Sequence, residues 1–367
     1  MTRDPPGARR NAPVPPPPRA RGKGEGLFWK ARLFFRTHGK KLWWFHTLYA
    51  LGLGVFVVLF AQKGFDNARW LAVTLGVAWL LVVAFFRVFG KRALDEASPT
   101  HLKIRFYAMT YALKNLYQGM LFFLLPFYWK ASTPGALNFA FVVLLGACAL
   151  VSTVDLLFDR VLMRFRFVAS VFHAITLFGC MNLIIPALLP NTRTLWTLGF
   201  AAALTVIGFF TIHLRLGMLR DRRVVLLLIV SVAIGVWTLE ALRRAIPPVP
   251  MYLSDAAVGP LLLPDGRLAM KVTSLHASAL SELIAVTDVV VPGGKGDRMV
   301  HVWRRDGREV YRAPEAMSRV RGPFGSVRLR STLAEPASPT DAVGSWYVDV
   351  ETDDGQLVGR VRFSVVE

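Results

Sequence analysis

Seven apolar stretches, separated by short polar loops, occupy most of residues 43–242 of this chain. Each has about 20 residues, which at 1.5 Å per residue is enough to cross the ~30 Å hydrocarbon core of a bilayer. Only a helix satisfies its own backbone hydrogen bonds there, so the pattern predicts an α-helical membrane bundle of seven transmembrane helices. The stretches are Trp43–Gln62, Trp70–Phe89, Phe106–Trp129, Ala136–Phe158, Phe167–Leu189, Leu195–Leu216 and Val224–Leu242.

The loops between these stretches predict the orientation of the bundle. The segment before the first stretch and the second, fourth and sixth loops are rich in Lys and Arg, whereas the first, third and fifth loops have few. Because basic loops are retained in the cytoplasm, we expect the N-terminus inside and everything after Leu242 outside. Arg243 and Arg244 lie on the basic-poor side and go against this rule.

The formal net charge of +20 belongs to the membrane part of the chain. Residues 1–249 hold 30 Lys and Arg against 9 Asp and Glu, and residues 250–367 hold 14 against 15. Basic residues at cytoplasmic helix ends set topology and meet anionic lipid, so we expect no nucleic-acid partner. No small-residue cleavage site follows the full-length first stretch, which predicts an uncleaved signal anchor.

Two segments precede the first apolar stretch. Residues 1–26 are rich in Pro, Gly and Arg and are expected to be a disordered basic tail. Residues 27–42 interleave aromatic and apolar residues with Lys and Arg, which predicts an interfacial amphipathic helix that contacts anionic lipid head groups. The alternative is that these residues extend the first membrane helix into the cytoplasm.

After Pro247, Pro248 and Pro250 the apolar period changes from helical to alternating. Turn signals recur about every ten residues, which is typical of an antiparallel sheet. We therefore predict an exported, all-β antiparallel sandwich in residues 250–367, and both cysteines lie outside it, so no disulfide stabilises it. The predicted strands are Arg267–Ser274, Leu283–Pro292, Met299–Arg304, Arg308–Ala313, Val327–Ser331, Ser345–Thr352 and Gln356–Val366.

Short motifs in this C-terminal part resemble a known bacterial family. They are His301-Val-Trp303-Arg-Arg-Asp306-Gly307, Gly344-Ser-Trp346-Tyr-Val348 and Gly355-Gln356-Leu357-Val-Gly359, followed by Phe363, with Gly322, Arg328 and Ser331 matching between the two tryptophans. This order is similar to the exported domain of unknown function 2914. The membrane part resembles the seven-helix domain of unknown function 5924 that accompanies it. The resemblance implies the two-part architecture but no activity.

Polar residues inside the predicted membrane helices form one candidate site. Charged groups in hydrocarbon are costly and usually face the bundle interior in pairs, so Lys114, Asp155 and His173 are expected to cluster in the inner third. The cluster is either an ion, proton or substrate site or a structural pair that fixes helix packing. Asp155 alternatively reaches the interface and meets Arg160 or Arg164. The candidate residues are Lys114, Asn115, Gln118, Asp155 and His173.

A second candidate site lies in the β domain. His301 and Trp303 share a strand face and form either a binding cleft or part of the packed core. Arginines alternate with apolar residues on three strands and form either a binding surface for an anionic partner or a solvated face paired with Asp349 and Glu351. The candidate binding surface is His301, Trp303, Arg328, Arg330, Arg360 and Arg362.

The sequence favours a non-enzymatic function. It contains no signature of a catalytic, cofactor or metal site. We expect a multi-pass bacterial inner-membrane protein whose bundle anchors a periplasmic β domain that binds an envelope glycan, lipid or protein. The rival hypothesis is a transporter or membrane-embedded enzyme that uses the Lys, Asp and His cluster.

Overall fold

The computed structural model describes Gly52 and the residues 68–88, 100–189, 192–214, 216–277, 282–291, 297–313, 319–321, 325–334 and 343–367. The predicted basic tail, the predicted interfacial helix and, apart from Gly52, the first predicted membrane helix lie outside these residues.

The part of the bundle that the structure describes is helical, as the apolar stretches predict. Among the described helices, α4, α5 and α6 are long and apolar enough to cross a membrane, which supports membrane association. Shorter apolar runs, Ala72–Arg87 and Phe139–Thr153, lie in α1 and α3. The long helices are α1 Ala68–Val88, α2 Thr100–Lys130, α3 Phe139–Thr153, α4 Arg166–Leu188, α5 Thr194–His213 and α6 Arg222–Ala241.

The fourth predicted stretch, Ala136–Phe158, is not one continuous helix. Helix α3 ends at Thr153, Val154 is extended (φ −90°, ψ 105°), and residues Asp155–Leu157 and the π-helical turn Phe158–Leu162 follow. The hydroxyls of Ser152 and Thr153 donate to the carbonyls three residues earlier, at 2.6 and 2.7 Å. Such side-chain bonds compete with helical hydrogen bonding, which explains why the helix ends here.

Helix α4 lies at the centre of the bundle and packs against α1, α2, α3 and α5. The buried core includes Leu113 and Leu121 of α2, Leu145 of α3, and Leu177 of α4. Helix α6 has no buried residue and packs mainly against α5, where Gly235 lies close to Val206. The last described helix is therefore peripheral.

The C-terminal part forms two β-sheets. One sheet has the strand order β1-β3-β7-β6 and the other β2-β9-β8-β4-β5, and all strand pairs are antiparallel except β2 with β9. The strands are β1 Tyr252–Gly259, β2 Ser274–His276, β3 Glu282–Val290, β4 Met299–Arg305, β5 Arg308–Arg312, β6 Arg319–Arg321, β7 Ser326–Ala334, β8 Gly344–Thr352 and β9 Leu357–Val366.

The sheet prediction needs three corrections. The sequence does not single out β1 or β6, and the predicted strand Arg267–Ser274 is wrong, because strand structure begins only at Ser274. Within 267–273 the chain makes an isolated bridge, Leu262 to Leu268, that closes a turn. β2 then runs parallel to β9, which departs from the purely antiparallel prediction.

In the described part of the domain, the two sheets share two hydrophobic clusters, and the larger one contains the aromatic side chains. Trp303, Trp346 and Phe363 of the five-stranded sheet lie in it with Leu283 and Leu333 of the four-stranded sheet. The rings of Trp346 and Phe363 are stacked, with centroids 6.0 Å apart. Burial of these large side chains between the sheets stabilises the domain.

Candidate functional site

An ion pair joins α2 to the break in the fourth predicted stretch. The Lys114 ammonium contacts a carboxylate oxygen of Asp155, the first residue after extended Val154. Lys114 is only 3% exposed and Asp155 26% exposed. The pair therefore lies at the edge of the bundle interior, with its lysine buried and its carboxylate half-buried.

The other candidate residues of α2 diverge from this pair. Gln118, one turn beyond Lys114, is fully buried. The Asn115 amide donates to the Tyr111 carbonyl of its own helix at 2.8 Å, in an exposed position. Asn115 thus lies away from the buried cluster.

His173 of α4 is fully buried, and its hydrogen-bond partner is a tyrosine. Its Nδ1 lies 2.7 Å from the Tyr117 hydroxyl, and its ring is 6.4 Å from that of Trp79. Among the described residues, none hydrogen-bonds to His173 Nε2. Sequence reasoning missed Tyr117, although its position three residues after Lys114 puts both on one helix face.

His301 and Trp303 lie in the core between the two sheets and form no surface cleft. His301 Nε2 is 2.8 Å from the Thr287 hydroxyl and Nδ1 is 2.7 Å from the Ser331 hydroxyl, which also accepts from Trp303 Nε1 at 3.0 Å. Burial lowers the pKa of His301 to about 4, so the ring is neutral at pH 7. These bonds join the two sheets.

The four candidate arginines do not form one surface. Arg328 and Arg330 belong to β7 of the four-stranded sheet, whereas Arg360 and Arg362 belong to β9 of the other sheet. Arg328 makes a bidentate pair with Asp288, both contacts 2.6 Å, and this hydrogen bond raises the pKa of Arg328. Arg330 is exposed.

The outer face of the five-stranded sheet carries a charge lattice, defined here as Arg304, Arg312, Arg360, Asp349, Glu351 and Glu309. Arg360 binds Asp349 through two contacts of 2.6 and 2.9 Å. Asp349 and Glu351 are each about 2% exposed, so the arginines replace water as the partners that stabilise their charges. Three cations balance three carboxylates, and none of the six is left over for an anionic ligand.

The β domain is hydrogen-bonded to the loop between α2 and α3. Buried Asn138 donates to the Leu357 carbonyl of β9 at 3.2 Å and accepts from the Thr133 amide at 3.3 Å. The Thr133 hydroxyl accepts from the Arg360 amide at 3.1 Å, and the Arg362 guanidinium donates to the Gly135 carbonyl. One short loop thus binds β9 at three positions, Leu357, Arg360 and Arg362.

Two other segments of the bundle also bind the β domain. At the start of α5, Thr194 donates through its amide and its hydroxyl to Asp297 at 3.0 Å, and Arg193 pairs with Asp353. After α6, the side-chain amide of Gln356 donates to the Ile246 carbonyl at 2.9 Å. These two segments and the loop after α2, which together we call the docking loops, all contact the same domain.

The carboxyl group of Asp297 has an altered proton affinity. Its burial raises the pKa to about 6, and the nearby Asp354 and Asp353 add to the rise, while the hydrogen bonds from Thr194 oppose it. The pKa of Asp297 therefore lies closer to neutrality than that of an ordinary aspartate, and no sequence pattern singles this residue out.

Within the described residues, no group of His, Cys, Asp and Glu side chains is arranged to hold a metal ion. No curated protein matches the sequence. The model of a family of unknown function, DUF5924, matches residues 31–283, and that of a protein of unknown function, DUF2914, matches residues 296–365. Both the order and the identity of these families agree with the resemblance drawn from the sequence motifs. The chain belongs to the DUF5924 family and carries a DUF2914 domain after it.

Proposed function

We propose that this chain is a bacterial inner-membrane protein with seven crossings, a cytoplasmic N-terminus and a periplasmic β-sandwich, and that it binds an envelope component without catalysis. The observation that carries the proposal is the set of docking loops. They correspond to the third loop, the fifth loop and the segment after the last stretch, which the charge pattern puts outside. If one crossing between α2 and α6 were missing or added, these segments would lie on opposite sides of the membrane and could not contact the same domain.

Contacts within the β domain support the sandwich. The larger hydrophobic cluster contains side chains from both sheets, and the His301 network links β4 to β3 and β7. Two sheets that bury a common face are the basic arrangement of a sandwich.

The docking contacts support a function as a fixed platform. Hydrogen bonds at Asn138, Thr194 and Gln356 hold the β domain against the bundle. A ligand bound to this domain would therefore stay at a constant height above the membrane, and force on it would pass to α2, α5 and α6.

Reporter fusions test the topology. Alkaline phosphatase fused after Glu367 should be active, because seven crossings from an inside N-terminus end in the periplasm. The same enzyme fused after Arg220, in the sixth loop, should be inactive and serves as the control. A β-galactosidase active after Glu367 would contradict the proposal. Purification from native membranes should then recover a bound lipid, glycan or protein.

The broken helix favours transport as a second candidate function. Transporters place their binding sites where membrane helices are discontinuous, and Asp155 directly follows such a break and pairs with buried Lys114. The π-helical turn at Phe158–Leu162 is a further irregularity of the kind often seen at functional sites.

Paired substitutions separate a structural ion pair from a transport site. Asp155→Leu alone should lower the folded yield, since it leaves the buried Lys114 ammonium without this carboxylate, at a cost of about 3–5 kcal/mol, and adding Lys114→Met should restore it. If the pair serves transport, the double variant folds but loses the phenotype linked to the gene. Asn115→Ala, on the same helix but exposed, is the control. Additive effects without rescue would show that the two charges are not coupled.

A further inference from the structure

An arginine just beyond α6 carries a charge that its neighbours do not balance. The charge lattice is neutral by itself, with three arginines and three carboxylates. Arg244 approaches it from outside and reaches Glu351 at 3.5 Å, farther than Arg304 or Arg312 at 3.0 and 3.2 Å. The Arg244 side chain is 52% exposed, so it remains available to another anion.

The adjacent Arg243 is balanced, but only loosely. Its guanidinium lies 3.7 Å from Glu240 and rests beside Gly355 of the β domain. Together with Trp237, Glu240 and Ala241, the two arginines line a cavity of about 310 Å³, which we call the arginine cavity. Two cations and one carboxylate give this cavity one excess positive charge.

The arginine cavity lies at one end of a helix that is apolar enough to span a membrane. Trp237, one turn before Ala241, is 71% exposed, and exposed tryptophans are enriched at the level of lipid head groups. The orientation rule alone gives no reason for two arginines on this basic-poor side. A ligand that needs them there would explain their presence.

We propose that the arginine cavity binds the phosphate of an anionic phospholipid in the outer leaflet of the inner membrane. Arg244 supplies the main contact and Arg243 the second, because a guanidinium fork matches phosphate oxygens. Trp237 lies against the glycerol region. The assignment to the outer leaflet rests on the proposed topology, whereas lipid binding in detergent does not. A negative result in the reporter fusions would therefore refute the topology, and a negative result in the binding experiment would refute the lipid site.

Native mass spectrometry of the full-length protein in detergent tests the site. Dioleoyl phosphatidylglycerol should bind more tightly than dioleoyl phosphatidylcholine. Arg244→Gln should weaken the binding of phosphatidylglycerol about fivefold, and the double variant with Arg243→Gln should weaken it further. Arg267→Gln is the matched control, because Arg267 is exposed and makes only a 3.9 Å contact with Asp265.

Three outcomes would overturn the proposal. The first is a double variant that keeps the wild-type preference for phosphatidylglycerol. The second is loss of this preference in Arg267→Gln, which would reveal a general charge effect. The third is binding of soluble glycerol phosphate as tightly as the lipid, which would make the ligand a free phosphate. If the double variant fails to fold, the Lys pair Arg243→Lys and Arg244→Lys, which keeps the charge, should retain the preference.

Discussion

Asp297 joins the β domain to the first turn of α5, and its raised pKa makes the stability of the folded chain depend on pH. Its pKa, about 6, lies above the ordinary value of 3.8, so between these pH values the folded chain binds more protons than the unfolded chain. Stability from Asp297 is therefore greatest below pH 4 and falls as pH rises through 6. His301, with its lowered pKa, has the opposite effect and loses stability as pH falls from 6.5 towards 4.

Asp297→Asn should remove the first of these two effects. We expect the stability advantage of the wild type over this variant to shrink as pH rises from about 4 to about 6. Each tenfold difference in the proton affinity of Asp297 between the folded and unfolded chain corresponds to about 1.4 kcal/mol. Urea unfolding of the detergent-solubilised protein across pH 4–7 measures this difference. The control is Asp265→Asn, in an exposed turn. A difference that does not depend on pH would contradict the assignment of the raised pKa.

At the scale of elements, the loop between α2 and α3 joins the bundle to β9 through hydrogen bonds at Leu357, Arg360 and Arg362. Asn138 satisfies the amide of Thr133 and the carbonyl of Leu357 from a fully buried position. Because both partners are backbone groups, Asn138 holds β9 at Leu357 without depending on the side chains of that strand, and the Arg362 side chain adds a further bond to Gly135.

Asn138→Ala should loosen β9 from the bundle. The change removes the partner of the buried Leu357 carbonyl, at a cost of about 1–3 kcal/mol, and that of the partly buried Thr133 amide. Hydrogen exchange should therefore accelerate at the β9 amides, beginning near Leu357. Asn115→Ala is the control, because its exposed amide bonds only within α2. Equal acceleration in both variants would show that Asn138 does not hold the strand.

At the scale of the whole molecule, the sequence predicts the elements better than their contacts. Apolar runs of membrane length locate the helices, and period-two alternation locates most strands of the β domain. The cost of charges in hydrocarbon, together with the short loop between the two predicted helices, also predicts Lys114 and Asp155 as partners. The Tyr117 partner of His173 and the docking loops depend on residues distant in sequence, so local patterns carry little signal for them. The break at Val154 follows local hydrogen bonds of Ser152 and Thr153, but the apolar pattern continues through it.

The two family matches meet inside a single sheet. The first match ends at residue 283 and includes β1 and β2, while the second begins at residue 296 and covers β4 to β9. β3 begins at the end of the first match and pairs with β1 on one side and β7 on the other. Exchange of the chain at this boundary would separate β1 from β3 and β7, which form one hydrogen-bonded sheet. A hybrid that replaces the β domain should therefore exchange the residues from Tyr252 onwards together.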